Sequence, residues 1–407
     1  MGRAINQYME DHENGFFSGS DLMICEKHIH DKDLIAFIQD SGDLGQECSF
    51  CNSLDFDDEE DEERVKVISW DDFMKRIMTA VSYFYDEPVN GLSYNSAEGG
   101  YLGNVYDSSE LLNDVIGLDV DWDVLKEIDN TMAQDAWTEI DFYSLSQSEF
   151  LRYSWQNFSE IVKYRVRYFF AEVVSEVDSV SQKPMRILED IGSFILELNC
   201  IHVIRVKDNV LIYRGRQHPE KDEIRNCKDI GPAPTEYAGA NRFSAEGISI
   251  FYGAQDPKTA KNEILNVDKK GEEPFISMGT FRSVQDMRFI DLRAIPKIGF
   301  FNIGKIHLRE PSIFLKKFLD SISMKLDKDG AERIEFIPSQ VVTEYFRYVL
   351  PSILGKDIHG IIYKSTHDKK QNCYAIFADP SMCVDEEEED DETILVLKKD
   401  SIVKTRI

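Results

Sequence analysis

The spacing of apolar residues changes character near the middle of the chain. After Ser69, with Asp71 and Asp72 placed to cap a helix, apolar residues recur at helical spacing: Phe73, Met74, Ile77, Met78, Val81, Phe84, Tyr85. The same period predicts helices over 108–116, 122–129 and 147–176. The last carries Trp155, Phe158, Ile161, Val162, Tyr164, Val166, Phe169 and Phe170, enough apolar surface for the spine of a bundle. A further helix is expected over 184–198. From Cys200 onward short β-rich runs take over, at 201–206, 210–214, 248–252, 275–281, 287–291, 360–363 and 374–377. Helical pieces are expected among them at 257–265, 313–323 and 339–350. Residues 1 to about 20 carry no strong periodicity and read as a loose arm in which Tyr8, Phe16 and Phe17 are candidates for docking. The Gly-, Ser- and Asn-rich stretch 90–106 reads as a loop.

This pattern predicts an α+β protein in three parts: 1–64, an arm, a metal module and an acidic linker; 65–198, a helical bundle; and 199–407, a domain of short mixed β-strands. A chain of 407 residues has room for each part to bury a core of its own. No glycine-rich phosphate loop follows a strand, which disfavours the common nucleotide-binding folds. The helical region also has no Arg followed four to six residues later by His, the arrangement expected of a metal-independent RNase, so it reads as a scaffold or sensor.

Charge narrows the partners. There are 46 basic and 75 acidic residues, a net charge of -29, with acidic runs at 55–63 and 385–392 that read as solvated loops. Such a surface repels nucleic-acid phosphates and anionic membranes. No segment has the form of a signal peptide, and no apolar run approaches the ~18 residues of a membrane span. The 7 cysteines form no disulfide framework, and a reducing, cytoplasmic setting fits them.

Cys25-Glu26-Lys27-His28 and Cys48-Ser49-Phe50-Cys51 place two ligand pairs at the two-residue spacing of zinc knuckles, with 33–40 as a short connecting helix. The reading is a structural zinc held by Cys25, His28, Cys48 and Cys51, with His30 the alternative to His28. Candidate chemistry in the last third lies at strand ends. Tyr213, Arg214 and Arg216 end one strand, and guanidinium groups there suit phosphate. The stretch 239–263 then presents Arg242 in a turn, Tyr252 at the end of a strand and Glu263 one turn into a helix. Ser365 follows the strand 360–363, and Asn372 opens the next one. Taken singly, each of these is an ordinary surface residue.

Taken in order, Tyr-Arg, Ala-Asn-Arg, Ile-Phe-Tyr-Gly, Ala-x-x-Glu, Ile-Tyr-x-Ser and Asn-x-x-x-x-Phe resemble the RES domain. That family has an ADP-ribosyltransferase-like fold, and its members include NAD-degrading toxins. The resemblance implies NAD as substrate and catalytic roles for Arg242, Tyr252, Glu263 and Ser365. Tyr213, Arg214, Arg242, Tyr252 and Ser339 would bind the substrate. In those roles Glu263 stabilises the ribose as the nicotinamide leaves, Arg242 neutralises the pyrophosphate or holds ribose hydroxyls, Tyr252 stacks on nicotinamide, and Ser365 hydrogen-bonds the nicotinamide side or the ribose. Upstream, the paired metal-ligand motifs and Trp155-x-x-Phe158 resemble a HEPN/RES N-terminal domain, which usually carries cysteine where this chain has His28. The family implies an NAD glycohydrolase, a phosphorylase or an ADP-ribosyltransferase in a toxin or defence setting, with a neutralising or activating protein partner or the N-terminal half as restraint, and a homo-oligomer as a further expectation. The alternative is a degenerate RES fold that binds a nucleotide or protein without turnover.

Overall fold

Ser69 caps its helix as expected. Its Oγ accepts from the amide of Asp72 at 3.2 Å, and the helix runs Trp70–Phe84. The computed structural model describes residues 2–44, 47–51, 65–97, 99–140, 145–172, 183–265, 271–323, 332–365, 367–368 and 370–407. The acidic run 55–63 lies outside these residues. The chain groups into two compact units, Met1–Gln147 with Lys297–Glu310, and Ser148–Pro296 with Pro311–Ile407. This grouping cuts across the sequence divisions 1–64, 65–198 and 199–407.

In the first unit, Trp70, Phe73, Met74, Ile77 and Val81 line one face of the capped helix. They are buried with Leu111, Leu112, Ile128, Trp137 and Phe301. The segment Lys297–Glu310 therefore completes this core, and Phe300 packs on Phe84 with ring centroids 5.2 Å apart. The expected loose arm is instead a helix, Gly2–Asn14, with Phe16 buried behind it and Tyr8 exposed. Its end is organised by Asp11, which accepts from the Ser18 hydroxyl at 2.7 Å and the Ser18 amide at 3.1 Å. Inside the expected loop 90–106, Tyr94–Asn95 pairs with Gly100–Tyr101 as a small hairpin.

The second unit is built on a mixed sheet of ten strands among the described residues. In chain order they are β1 (Ile201–Ile204), β2 (Leu211–His218), β3 (Phe251–Ala254), β4 (Phe275–Ser283), β5 (Met287–Asp291), β6 (Gly360–Lys364), β7 (Asn372–Ile376), β8 (Cys383–Asp385), β9 (Leu395–Leu397) and β10 (Val403–Arg406). Across the sheet the order is β8-β9-β4-β2-β3-β7-β6-β5-β1, with β10 also on β4. The β5–β6 and β8–β9 pairs are parallel and the others antiparallel. The last three strands carry too few residues each to stand out in the sequence. Residues 386–392 are exposed, as a solvated acidic loop should be.

The long helix expected over 147–176 is shorter. It runs Gln147–Glu160, widens through one turn at Ile161–Arg165 and stops at Val166 in extended backbone. Trp155, Phe158, Ile161 and Val162 are buried, whereas Tyr164 is 67% and Phe169 76% exposed, so only the first half of the expected spine is a spine. No described helix is long and apolar enough to cross a membrane.

Candidate active site and metal cluster

The sheet is weakest at its centre. β2 and β3 are neighbours, yet a single residue pair joins them, Ala254 opposite Tyr213. Where that ladder stops, a side chain takes over. Arg214 Nη1 donates to the carbonyl of Tyr252 at 2.7 Å, and its Nε donates to the carbonyls of Ile230 (2.8 Å) and Gly231 (3.1 Å). Burial pulls its pKa down to about 10, leaving it cationic at neutral pH. Arg214 thus serves as a strut across the opening, with its Nε and Nη1 committed to backbone carbonyls. Gly253 lets the strands meet here, because a Cβ would lie 2.5 Å from Ile212 Cγ2 and 2.9 Å from Phe251 Cε1.

The opening holds a pocket of about 50 Å³. Tyr213, Tyr252 and Tyr363 supply aromatic wall, and Glu263, Cys373 and Ala260 complete it from the next helix and from β7. Glu263 is carried by the helix Pro257–Ile264, which Asp256 caps by accepting from the Thr259 amide at 2.9 Å and its hydroxyl at 2.6 Å. That helix lies against β2 at Gly215, where a Cβ would come within 2.5 Å of Ile264 Cδ1. Desolvation by burial raises the Tyr252 phenol to about 12 and the Tyr363 phenol well above its usual range, so both rings stay neutral.

Ser365 is buried at the end of β6. Its Oγ donates to Glu263 Oε1 at 2.5 Å and accepts from the amides of His367 (3.1 Å) and Asp368 (3.2 Å). The Cys373 thiol also bonds the Glu263 carboxylate, and burial together with that charge pushes the thiol's pKa up. The carboxylate is therefore oriented from two sides. Ser365 itself does not line the pocket; it acts on it through Glu263.

Arg242 sits in a tight turn in which Asn241 and Ser244 exchange backbone hydrogen bonds. The Ser244 hydroxyl meets the Tyr252 hydroxyl at 3.1 Å. From the other side, Ser339 Oγ donates to the Arg242 carbonyl at 2.6 Å, and Gln340 Nε2 donates to the carbonyls of Asn241 (2.8 Å) and Ser244 (3.1 Å). Burial lowers the Arg242 pKa, and the nearby Glu263 carboxylate opposes that shift. Arg242, Tyr252, Glu263 and Ser365 thus come together. Tyr213 and Arg214 line the same pocket, Arg214 serving also as a strut, and Ser339 supports the turn. Tyr363 and Cys373 went unassigned in the sequence, although Tyr363 stands two residues before Ser365 in the same strand and its alternation already points it to one face.

In the first unit, Cys25, His28, Cys48 and Cys51 place their ligand atoms within 4.8 Å of one another. Cys25 Sγ is 3.5 Å and His28 Nε2 3.2 Å from Cys51 Sγ. His28 Nδ1 faces Asp121 Oδ2 at 2.9 Å, which turns Nε2 toward the sulfurs, the outer carboxylate arrangement common behind metal-bound histidine. His30 instead reaches Asp121 Oδ1 at 3.1 Å and is not a member of the group. The second knuckle is anchored on Met23–Cys25, since Ser49 N donates to the Met23 carbonyl and Met23 N to Ser49 Oγ, both at 2.9 Å. The donor set, sulfur-rich with one oriented imidazole, fits zinc. Asp121 could not be found from sequence, being 93 residues from His28.

Fold and site together define a mixed α/β protein whose central sheet opens on a carboxylate held by a serine. Comparison with known families makes this particular: the RES domain model matches residues 212–397, and HEPN/RES N-terminal domain 1 matches 43–176. The chain is a RES-domain protein with a HEPN/RES N-terminal domain. RES domains are associated with NAD-utilising, ADP-ribosyltransferase-like toxin modules. No curated protein and no solved structure matches the chain.

Proposed function

We propose that this protein consumes NAD by cleaving the bond between nicotinamide and ribose. The observation that carries the reading is the Glu263 carboxylate, held by Ser365 and Cys373 in a pocket walled by tyrosines. As the glycosidic C–N bond breaks, its electron pair leaves with nicotinamide and positive charge develops on the ribose. A fixed carboxylate stabilises that charge, as in glycoside hydrolysis. Tyr252 and Tyr363 offer neutral rings to the nicotinamide, and Arg242 offers a cation to the phosphates or ribose hydroxyls. With water as acceptor, oxygen adds to the ribose carbon, a proton is released, and the products are ADP-ribose and nicotinamide. Phosphate or a protein side chain in place of water would make the same site a phosphorylase or an ADP-ribosyltransferase.

The biological reading is a toxin or defence effector working in the cytoplasm, restrained by a protein partner or by its own N-terminal half. Zinc at Cys25, His28, Cys48 and Cys51 would be structural, tying the two knuckles and taking no part in the chemistry. The test is chromatography of NAD incubated with the purified protein, with and without phosphate. Nicotinamide should appear together with ADP-ribose or its phosphate, and Glu263→Ala should abolish it. No nicotinamide under any condition, including with the wild-type protein at high concentration, would overturn the reading.

A further inference from the structure

The pocket at Glu263 is too small for a whole dinucleotide, which leaves the other end to be placed. A second cavity of about 240 Å³ borders the support of the Arg242 turn. Two of its residues belong to the support of that turn: Ser339, which donates to the Arg242 carbonyl, and Phe336, whose ring lies 6.0 Å from Arg242 Cζ. Trp155, Ser159 and Lys163 form its other wall.

We propose that this cavity receives the adenosine-phosphate half of the NAD whose other half reacts at Glu263; the inference rests on the NAD reading above. The lining matches the chemistry of that half part by part. Phe336 and the edge of Trp155 offer aromatic surface to a planar base. Lys163 lines the cavity and the Arg242 guanidinium lies 6.0 Å from the Phe336 ring, two cations to receive a diphosphate on a protein whose net charge of -29 otherwise repels it. Glu335, Ser159 and Ser321 offer acceptors and donors to ribose hydroxyls.

Lys163 is paired with Glu335 at 2.5 Å, with side chains 16% and 39% exposed. A partly solvated pair of this kind contributes little, so phosphate can replace the carboxylate as the partner of Lys163. Glu335 is then released to accept from a ribose diol. Trp155, Ser159 and Lys163 lie within the HEPN/RES match and outside the RES match. The upstream segment would therefore supply one wall of the substrate site, and a RES domain cut at its own family boundary would lack it.

The experiment uses the full chain and two readouts. Calorimetry with AMP should show one site, weakened by about tenfold or more in Lys163→Gln and further in Lys163→Glu, the loss of a charge-assisted contact. The ratio of kcat/KM for NAD to that for nicotinamide mononucleotide, which lacks the adenosine-phosphate half, should fall by a similar factor. Circular dichroism would verify that both variants fold. AMP binding unchanged in both variants, no AMP binding by the wild type, or equal losses on the two substrates would each overturn the assignment. The two readings can fail separately. If AMP binds through Lys163 but no nicotinamide is ever released, the NADase proposal falls and the cavity assignment stands. If nicotinamide is released but AMP ignores Lys163, the reverse holds.

Discussion

Replacing Ser365 by alanine asks whether this residue touches substrate or governs Glu263. The substitution removes a donor 2.5 Å from Glu263 Oε1 and an acceptor for the amides of His367 and Asp368. A hydrogen bond to a charged group contributes ~1.5–3 kcal/mol. If that contribution is expressed in the transition state, the rate falls ~10- to 150-fold, since 1.36 kcal/mol corresponds to a factor of ten. Glu263→Gln, which removes the charge itself, should cost ~10²–10³ or more. Because both changes act on one carboxylate, the double variant should be little slower than Glu263→Gln alone. The assay is steady-state nicotinamide release from NAD for the three variants. Thermal unfolding is measured alongside, because the amides of His367 and Asp368 lose their acceptor. A rise in KM with kcat unchanged, or losses that multiply fully in the double variant, would refute the positioning role and return Ser365 to direct contact with substrate.

Two further outcomes are expected. The purified protein should carry one zinc per chain by atomic emission. Cys48→Ser and His28→Ala should lose it and destabilise the first unit, in keeping with the ~10–16 kcal/mol that structural zinc contributes to folding small modules, whereas His30→Ala should retain it. Asp256 should make the helix that carries Glu263 sensitive to acid. Partial burial alone would raise its pKa, but the Thr259 hydroxyl and amide outweigh this and hold the carboxyl below its ordinary value. A depressed carboxylate contributes stability that is present above its unfolded value of ~3.9 and is lost as pH falls through the folded value. Asp256→Asn should keep the cap and remove that part of the acid sensitivity. Asp256→Ala should cost ~0.5–2 kcal/mol at neutral pH, read by urea unfolding.

The sequence was most legible where the information is local. The Ser69 cap, the strand cores of β2 to β7 and the two Cys-x-x-ligand pairs are each contained in a few residues, and each appears nearly in place. Glu263 was legible as a member of a series, although nothing about a helical glutamate shows which way it faces. What the sequence left out comes from long-range geometry. Arg214 read as a phosphate ligand because strand ends near glycine open onto clefts. The cleft is there, but the arginine is turned into the gap between β2 and β3, a consequence of one missing ladder that no local pattern encodes. Ser339 read as a substrate contact, and its partner proves to be a carbonyl 97 residues away. Tyr164 and Phe169 fit a helical period that the chain abandons at Val166, and the mostly exposed first helix has too thin an apolar stripe to stand out.

The excursion of Lys297–Glu310 into the first unit bears on biosynthesis and on how the protein can be cut. The first unit cannot close around Phe300, Phe301 and Ile306 until the ribosome has delivered residues that follow the first five strands of the β-sheet. Its helices must wait, apolar faces uncovered, while the second unit is being made, a period in which chaperones or a cognate partner have something to hold. The same path defeats a simple bisection of the gene. A fragment starting near residue 199 would carry Phe300 and Phe301 without the core they fill, so its behaviour would report on exposed aromatic surface as much as on release from an inhibitor. Separating the two units calls for replacing 297–310 with a short polar bridge.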